Sequence, residues 1–471
     1  MEHIRNAWYR SGWYRLGLIL ALAFFTVRAV GQVYYLFIVS PLEMGSFNGV
    51  FVPNDLKDYL EAAQRFSLRE DLYLSGALDR VEFYQYSPAY ALLLIPLLSI
   101  HPTMIVILDT LLHIAAYAAM YFTWRRIFKR ISLPRGEDML AWTLPLWLVF
   151  EPFWSDLSYL NIYIFVALLA TWLTEAVLRE DLAGAVVWTV VLLQAKPFWA
   201  FAVGVPLLLG NRKFFWKILA GAVLGYLAIA GITVLAAGPG YGLRQYAEYF
   251  RFLPEMSANF PWRGPNLPFL GYNHSVMQVV LYTMGVSSGA MLAGKLIKFA
   301  ILLPLVGLSM WHLWQAVRRT MFSGKGAGKV QSPLNGIASP VRCDALAGEH
   351  KLEMAFALYV GAFIFLDIIW EVSLGLAVFA YLLAVTENRA ERVLACVLFI
   401  PYCLLDFWRF LSYIIWGEDS LAGAYVLTDP SAYLPMILFV LLAFYIMLLR
   451  RLFARAAASR AGNGKSPPHP A

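Results

Sequence analysis

The chain has 471 residues, of which 60% are hydrophobic, 16% aromatic and only 14% charged, whereas a soluble surface needs about 25% charge. Uncharged tracts at residues 141–150, 162–174 and 218–241 exclude water as their solvent and require a bilayer. The net charge of +7 would point to nucleic acid in a soluble protein, but in a polytopic membrane protein its distribution loop by loop sets orientation instead.

In chain order, the apolar stretch 14–40 follows Arg5 and Arg10, has no small-residue cleavage site before Pro41, and reads as a retained first span. The connection 41–87 holds eight acids against four bases, which places it outside. Within it Leu56, Tyr59, Leu60, Ala63 and Phe66 share one helical face, and Lys57, Asp58, Glu61 and Arg65 another. That spacing predicts an amphipathic helix on the outer membrane surface, capped by Asn54 or Asp55. His101-Pro102 breaks the apolar run 88–124, which is counted as one crossing. Basic residues at 125–135 turn the chain inside, and spans at 138–153 and 157–178 follow. Lys196-Pro197 divides 182–210 into a crossing and a return. After Arg212, Lys213 and Lys217 comes a span at 214–237, then a second external loop, 238–272, with Arg244, Arg251 and Arg263. A span at 289–316 leads to a Gly-, Ser- and Pro-rich segment that cannot bury a core. The run 354–386, interrupted by Asp367, Trp370 and Glu371, again goes across and back, and 392–416 and 432–453 complete the set.

The expected fold is therefore all-α and polytopic, with about 12 transmembrane helices and both termini inside. Residues 1–320 form an N-terminal transmembrane catalytic module with external loops 41–87 and 238–272. Residues 321–351 are a disordered cytoplasmic linker, 352–455 the C-terminal transmembrane helices and 456–471 a disordered cytoplasmic tail. No repeat relates two halves of the chain, which lowers the expectation of a repeat-built transporter. Cys343, Cys396 and Cys403 have no CxxC spacing or neighbouring histidines, so neither a disulfide framework nor a zinc site is read.

Ionisable groups at membrane depth or at its outer edge are where chemistry is expected. Asp55 has two readings of about equal weight, a helix cap or a base that deprotonates a sugar hydroxyl. Tyr84 and Tyr90, with Pro88 opening a span, are explained by aromatic rings at the headgroup level. Lys196, flanked by apolar residues, either snorkels or serves as a point cation for a phosphate. His113 and His312 lie in apolar helices and read as packed residues, whereas His274 falls where the other candidates converge. Asp109, Asp406 and Arg409 are mid-stretch charges that count for transport or for helix packing. Trp370 is accounted for by interfacial anchoring.

The ordered series Asp55-Leu56-x-x-Tyr59-x-x-Ala62, Tyr86-Ser87-Pro88, Asn161, Lys196-Pro197, Asn211-Arg212-Lys213, Asn273-x-Ser275 and Trp370-Glu371 resembles the GT-C polytopic glycosyltransferases, specifically glycosyltransferase family 87. That family is typified by polyprenol-phosphate-mannose-dependent α-mannosyltransferases. The resemblance covers about residues 50–390. The family's Gly-Gln before the Asn is Ser158-Tyr159 here, and its His after the Trp-acid pair is Val372. The resemblance implies metal-independent, inverting transfer of mannose or another hexose or pentose from a polyprenyl-phosphate sugar to a lipid-linked or glycan acceptor. The reaction would occur at the outer face of the cell's inner (plasma) membrane. Asp55 would be the base, with Asp58 as fallback. Tyr59, Tyr86, Asn161, Lys196, Arg263, Asn273, His274, Trp370 and Glu371 would contact donor or acceptor. The sequence has no Gly-rich phosphate loop and no Asp-x-Asp motif, so no nucleotide-sugar donor, metal or cofactor is expected, and no nucleic acid partner. A transporter or flippase for lipid-linked saccharides is the alternative, and a non-catalytic scaffold with a docking loop a more distant one.

Overall fold

A computed structural model describes residues 2–37, 45–73, 84–259, 269–271, 273–322, 340–416 and 430–463. Residues 417–429, Arg263 and residues 323–339 of the expected linker lie outside the described residues. Among the described residues the regular structure is helical apart from one short hairpin. Helices α1 (Glu2–Arg10) and α2 (Gly12–Phe37) lead to the hairpin β1 (Gly45–Phe47) and β2 (Val50–Val52), and then to α3 (Asn54–Leu68) and α4 (Pro88–Leu94). Next come α5 (Pro102–Arg130), α6 (Pro134–Trp142), α7 (Leu144–Leu148), α8 (Glu151–Tyr159), α9 (Tyr163–Arg179) and α10 (Leu182–Ala195). After a 3-10 turn over Pro197–Val203 follow α11 (Gly204–Leu208), α12 (Arg212–Ala237), α13 (Pro239–Asn259), α14 (Val276–Met284) and α15 (Ser288–Phe322). The last are α16 (Pro340–Phe365), α17 (Gly375–Val385), α18 (Arg389–Cys403), α19 (Leu405–Trp416) and α20 (Met436–Asn463).

Among the described residues five helices, α2, α5, α12, α15 and α20, are long and apolar enough to cross a bilayer, and the α18–α19 pair, bent by 48°, meets that measure when the two are taken together, as a broken span or a re-entrant loop. The other apolar segments are shorter. At about 1.5 Å per residue, α10 with 14 residues and α17 with 11 reach only about half to two-thirds of a ~30 Å hydrocarbon core. Prolines set several of the breaks. Pro134, Pro145 and Pro152 each fall in the first turn of a new helix, so the apolar run 138–153 is divided among α6, α7 and α8. The break at His101 leaves α5 a complete span of 29 residues and makes 88–99 a separate short helical segment against α3, rather than half of one crossing.

Helix α3 has the expected amphipathic pattern, but its apolar face is covered by protein. Leu56, Tyr59, Leu60, Ala62, Ala63 and Phe66 are buried, and the helix packs on α4, the 3-10 turn after it, β1 and α8. Its capping also differs from the expectation. Pro53 occupies the N-cap position with no side-chain cap bond, so Asp55 lies inside the first turn and its carboxylate is committed elsewhere. Two glycines set the packing of α12 on α10. A Cβ at Gly221 or Gly225 would come within 2.7 or 2.6 Å of Val186 or Val190, the close approach that a GxxxG spacing permits.

The two ends of the bundle differ in chemistry. At one end Arg126 and Arg130 hold Glu175, Lys351 meets Glu180 at 2.8 Å, and Arg451 and Arg455 clasp Glu349 and Glu353. The opposite end of α9, a helix of 17 residues and therefore about 25 Å long, carries the polar cluster described next.

Candidate active site

The cluster is built around the turn between α8 and α9. Leu160, buried and non-glycine, closes α8 in the left-handed region (φ 49, ψ 49), a conformation that costs an L-residue about 1–2 kcal/mol and that concentrates at functional sites. The turn is held by Asp156, whose backbone carbonyl accepts from Asn161 N (3.1 Å) and whose carboxylate accepts from Tyr163 N (3.1 Å) and Ile164 N (2.9 Å). It thereby satisfies amides that the start of α9 would otherwise leave unpaired. The side chain of Asn161 then has one orientation. Its Oδ1 accepts from its neighbour Ile162 N (2.7 Å) and from Tyr59 OH (2.8 Å), so its Nδ2 points away and donates to Asp55 Oδ2 at 2.9 Å.

Around this core the tyrosines form one group. Tyr59 OH lies 3.1 Å from Tyr86 OH, and Tyr59, Tyr86 and Tyr90 pack ring against ring. Burial, then the neighbouring Tyr86 and Asp55, pushes the Tyr59 hydroxyl well above its ordinary range, so it is a neutral donor to Asn161. Tyr86 is fixed through its backbone, where the carbonyl accepts from Tyr73 OH (2.5 Å), and through Ser87, whose hydroxyl donates to Gln194 Oε1 (2.8 Å).

Lys196 enters at the break after α10. It is buried, donates to Tyr163 OH at 2.9 Å, and lies 4.2 Å from the Tyr163 ring centroid and 5.3 Å from that of Tyr86. Asp55, Glu371 and Asp156 are its electrostatic neighbours. Trp370 meets Tyr163 edge to face at 5.9 Å. Glu371, in the non-helical turn between α16 and α17, accepts from Ser373 Oγ at 2.8 Å. Burial and then the Asp156 charge push the Glu371 carboxyl well above its usual range, against the pull of Ser373 and Lys196.

Asp55, Tyr59, Tyr86, Asn161, Lys196, Trp370 and Glu371 thus share one connected region, although they come from five separate segments. Asn273 and His274 do different work. Asn273 Oδ1 accepts from Ile369 N (3.0 Å) and Ser275 N (3.1 Å) while its Nδ2 donates to the Asp367 carbonyl (2.9 Å). His274 donates from Nε2 to the Ser431 carbonyl (2.9 Å) and accepts at Nδ1 from Ile437 N (3.2 Å). The Asn273 side chain and the His274 backbone N–H, which donates to the Ile369 carbonyl (2.8 Å), splint the turn that carries Trp370 and Glu371. Asp58, the fallback base, is half-buried on α3 next to Tyr59 in sequence. The two departures from the family pattern have structural uses: Val372 is buried with its N–H donating to Tyr402 OH (3.1 Å), and Ser158 accepts from Arg28 (3.0 Å).

Sequence reading passed over two residues, Tyr163 and Asp156, which lie within a few positions of Asn161, and took His113 for a packed residue although it stands four residues after Asp109 in α5, a spacing at which side chains on a helix meet. The other mid-helix charges are paired for packing, Asp406 with Arg28 (3.0 Å), Arg409 with Glu151 (2.6 Å) and Lys298 with Asp367 (2.6 Å). Among the described residues no three His, Cys, Asp or Glu side chains gather as a metal-binding group.

The fold and this cluster define a multi-pass helical membrane protein with a carboxylate, an amide and a buried lysine assembled at one end of its bundle. The chain belongs to glycosyltransferase family 87, whose profile matches residues 84–328, just over half of its length. It is a membrane glycosyltransferase by that membership. The matched segment supplies Tyr86, Asn161 and Lys196, while Asp55, Tyr59, Trp370 and Glu371 come from outside it. No curated protein and no solved structure matches the chain.

Proposed function

We propose that the protein transfers a sugar from a polyprenyl-phosphate donor to a lipid-linked or glycan acceptor at the extracytoplasmic face of the inner membrane, by an inverting, metal-independent route of the GT-C type. The observation that carries this reading is the bond from Asn161 Nδ2 to Asp55 Oδ2. An oriented carboxylate is what a general base needs, and the Asn161 amide is itself held at Oδ1 by two bonds, from Tyr59 OH and Ile162 N.

In the proposed step the acceptor hydroxyl gives its proton to Asp55 as its oxygen bonds to the anomeric carbon. The bond from that carbon to the phosphate oxygen breaks, and its electron pair leaves with the polyprenyl phosphate. Lys196 stabilises the charge that develops on this leaving group; its ammonium has three donors, of which Tyr163 takes one. The donor sugar, mannose or another hexose or pentose, would rest against Tyr86 and Trp370.

The test compares two neighbouring carboxylates. Asp55→Asn keeps the volume and can still accept from Asn161, so the protein should unfold at the wild-type temperature while transfer falls by about 100-fold or more. Asp58→Asn should cost much less. Near wild-type transfer by Asp55→Asn would remove Asp55 as the base, and a large loss confined to Asp58→Asn would move that role to Asp58.

A further inference from the structure

A neutral imidazole carries one N–H and one lone pair, so it donates at one ring nitrogen and accepts at the other. His274 obeys this, with a carbonyl at Nε2 and an amide N–H at Nδ1. His113 does not. Its Nδ1 lies 2.8 Å from the Asp109 carbonyl and its Nε2 lies 2.6 Å from the Asn161 carbonyl. Both partners are acceptors only, so both ring nitrogens must donate. The ring is wholly buried, with Phe165 edge-on at 4.4 Å.

The surroundings hold the matching negative charge. Asp109 Oδ1 lies 3.5 Å from Nδ1 and Asp156 Oδ2 lies 3.5 Å from Nε2. Asp156 accepts two backbone N–H bonds with its two carboxylate oxygens, which suits the ionised form. Tyr90 of α4 is a further titratable group within electrostatic range of both carboxylates.

We infer that His113 is a buried imidazolium whose Nε2–H clamps the left-handed turn at Leu160–Asn161, making it a positioning residue for the amide that orients Asp55. The role rests on the reading of Asp55 as the base. Loss of either proton would set a nitrogen lone pair against a carbonyl oxygen, and at Nε2 this would release the Asn161 backbone. Asn161 would then no longer present Nδ2 to Asp55 at a fixed distance.

The charge state is read first on the unmutated protein. With 15N-labelled histidine, subtracting the spectrum of His113→Gln should leave a signal with two protonated ring nitrogens near neutral pH. A signal with one protonated nitrogen overturns the inference. If His113→Gln does not accumulate, a chain retaining only His113 of the seven histidines gives the same readout. The positioning role is read kinetically: His113→Gln, which can donate to only one of the two carbonyls in this geometry, should lower kcat by about tenfold to a hundredfold. The KM for donor should stay within about twofold. An unchanged kcat overturns the positioning role. Activity in Asp55→Asn would sink the base assignment while leaving the ring-nitrogen signal as it is, so the two failures are separately visible.

Discussion

Glu371 is where pH enters the site. Its carboxyl sits in a turn whose backbone N–H groups are taken by Tyr402 and Tyr359, and its proton affinity is raised above the ordinary 4.5. A carboxyl that binds its proton more tightly when folded costs no stability below its unfolded pKa and costs progressively more as pH rises from there toward the folded value. Glu371→Gln should therefore have the wild-type unfolding temperature near pH 4 and an increasing advantage as pH rises toward 8, measured by thermal unfolding in detergent. An advantage that does not change with pH, or a loss at high pH, would mean that Lys196 holds Glu371 ionised. At this scale much of the cluster was legible: Asp55 and Lys196 stood out as charges beside or within apolar stretches, each with a structural reading next to the functional one, and Asn161 stood out by its place in the family resemblance. His113 and Asp156 were not. A lone histidine in an apolar helix carries no sequence signal for the carbonyls at both of its nitrogens, one of them 48 residues away.

The element that brings Trp370 and Glu371 to the site is the turn between α16 and α17. Three segments distant in sequence hold it: Asn273 and the His274 backbone at Asp367 and Ile369, Lys298 at Asp367, and Tyr402 at Val372. Asn273 is buried, and cutting it back to alanine leaves two N–H donors and one carbonyl without its bonds. Each unsatisfied buried group costs about 1–3 kcal/mol. Asn273→Ala should lower the unfolding temperature by several degrees, and Asn273→Asp, which keeps the two acceptor bonds, by less. Equal unfolding temperatures in all three proteins would show that the turn does not depend on this splint. Sequence placed Asn273 and His274 in the site region, but only the path of the chain shows that they bond to backbone. The same limit applies to α3. Its periodicity gave the helix and its apolar face, while the partner of that face, protein instead of lipid, depends on how α4 folds back.

For the whole molecule, the basic end at Arg126, Arg130, Arg451 and Arg455 and the cluster at Asp55 and Asn161 lie at opposite ends of α9. By the excess of basic residues at the first end, that end is expected to face the cytoplasm. Single cysteines replacing the exposed Ser67 and Ala390 in a cysteine-free background provide the check. An impermeant thiol reagent should label intact cells at 67 and not at 390, and the reverse pattern would invert the orientation. The helical class was legible because long continuous apolar runs satisfy their own backbone in lipid as helices, whereas the strands of a membrane barrel alternate apolar and polar residues. The number of crossings was not. Hydropathy measures length along the sequence, and it cannot tell a short helix that reaches partway from one half of a broken span, as α10, α11 and α17 illustrate.

The central claim, sugar transfer from a lipid phosphate, is tested most directly by incubating the purified protein with a panel of polyprenyl-phosphate sugars and, in parallel, nucleotide sugars. An acceptor lipid extract is supplied to both, and the released polyprenyl phosphate or nucleotide is measured. The account predicts acceptor-dependent release of polyprenyl phosphate with at least one donor, abolished in Asp55→Asn, and no turnover of nucleotide sugars. Transfer from a nucleotide sugar, or polyprenyl-phosphate release that Asp55→Asn leaves intact, would contradict it.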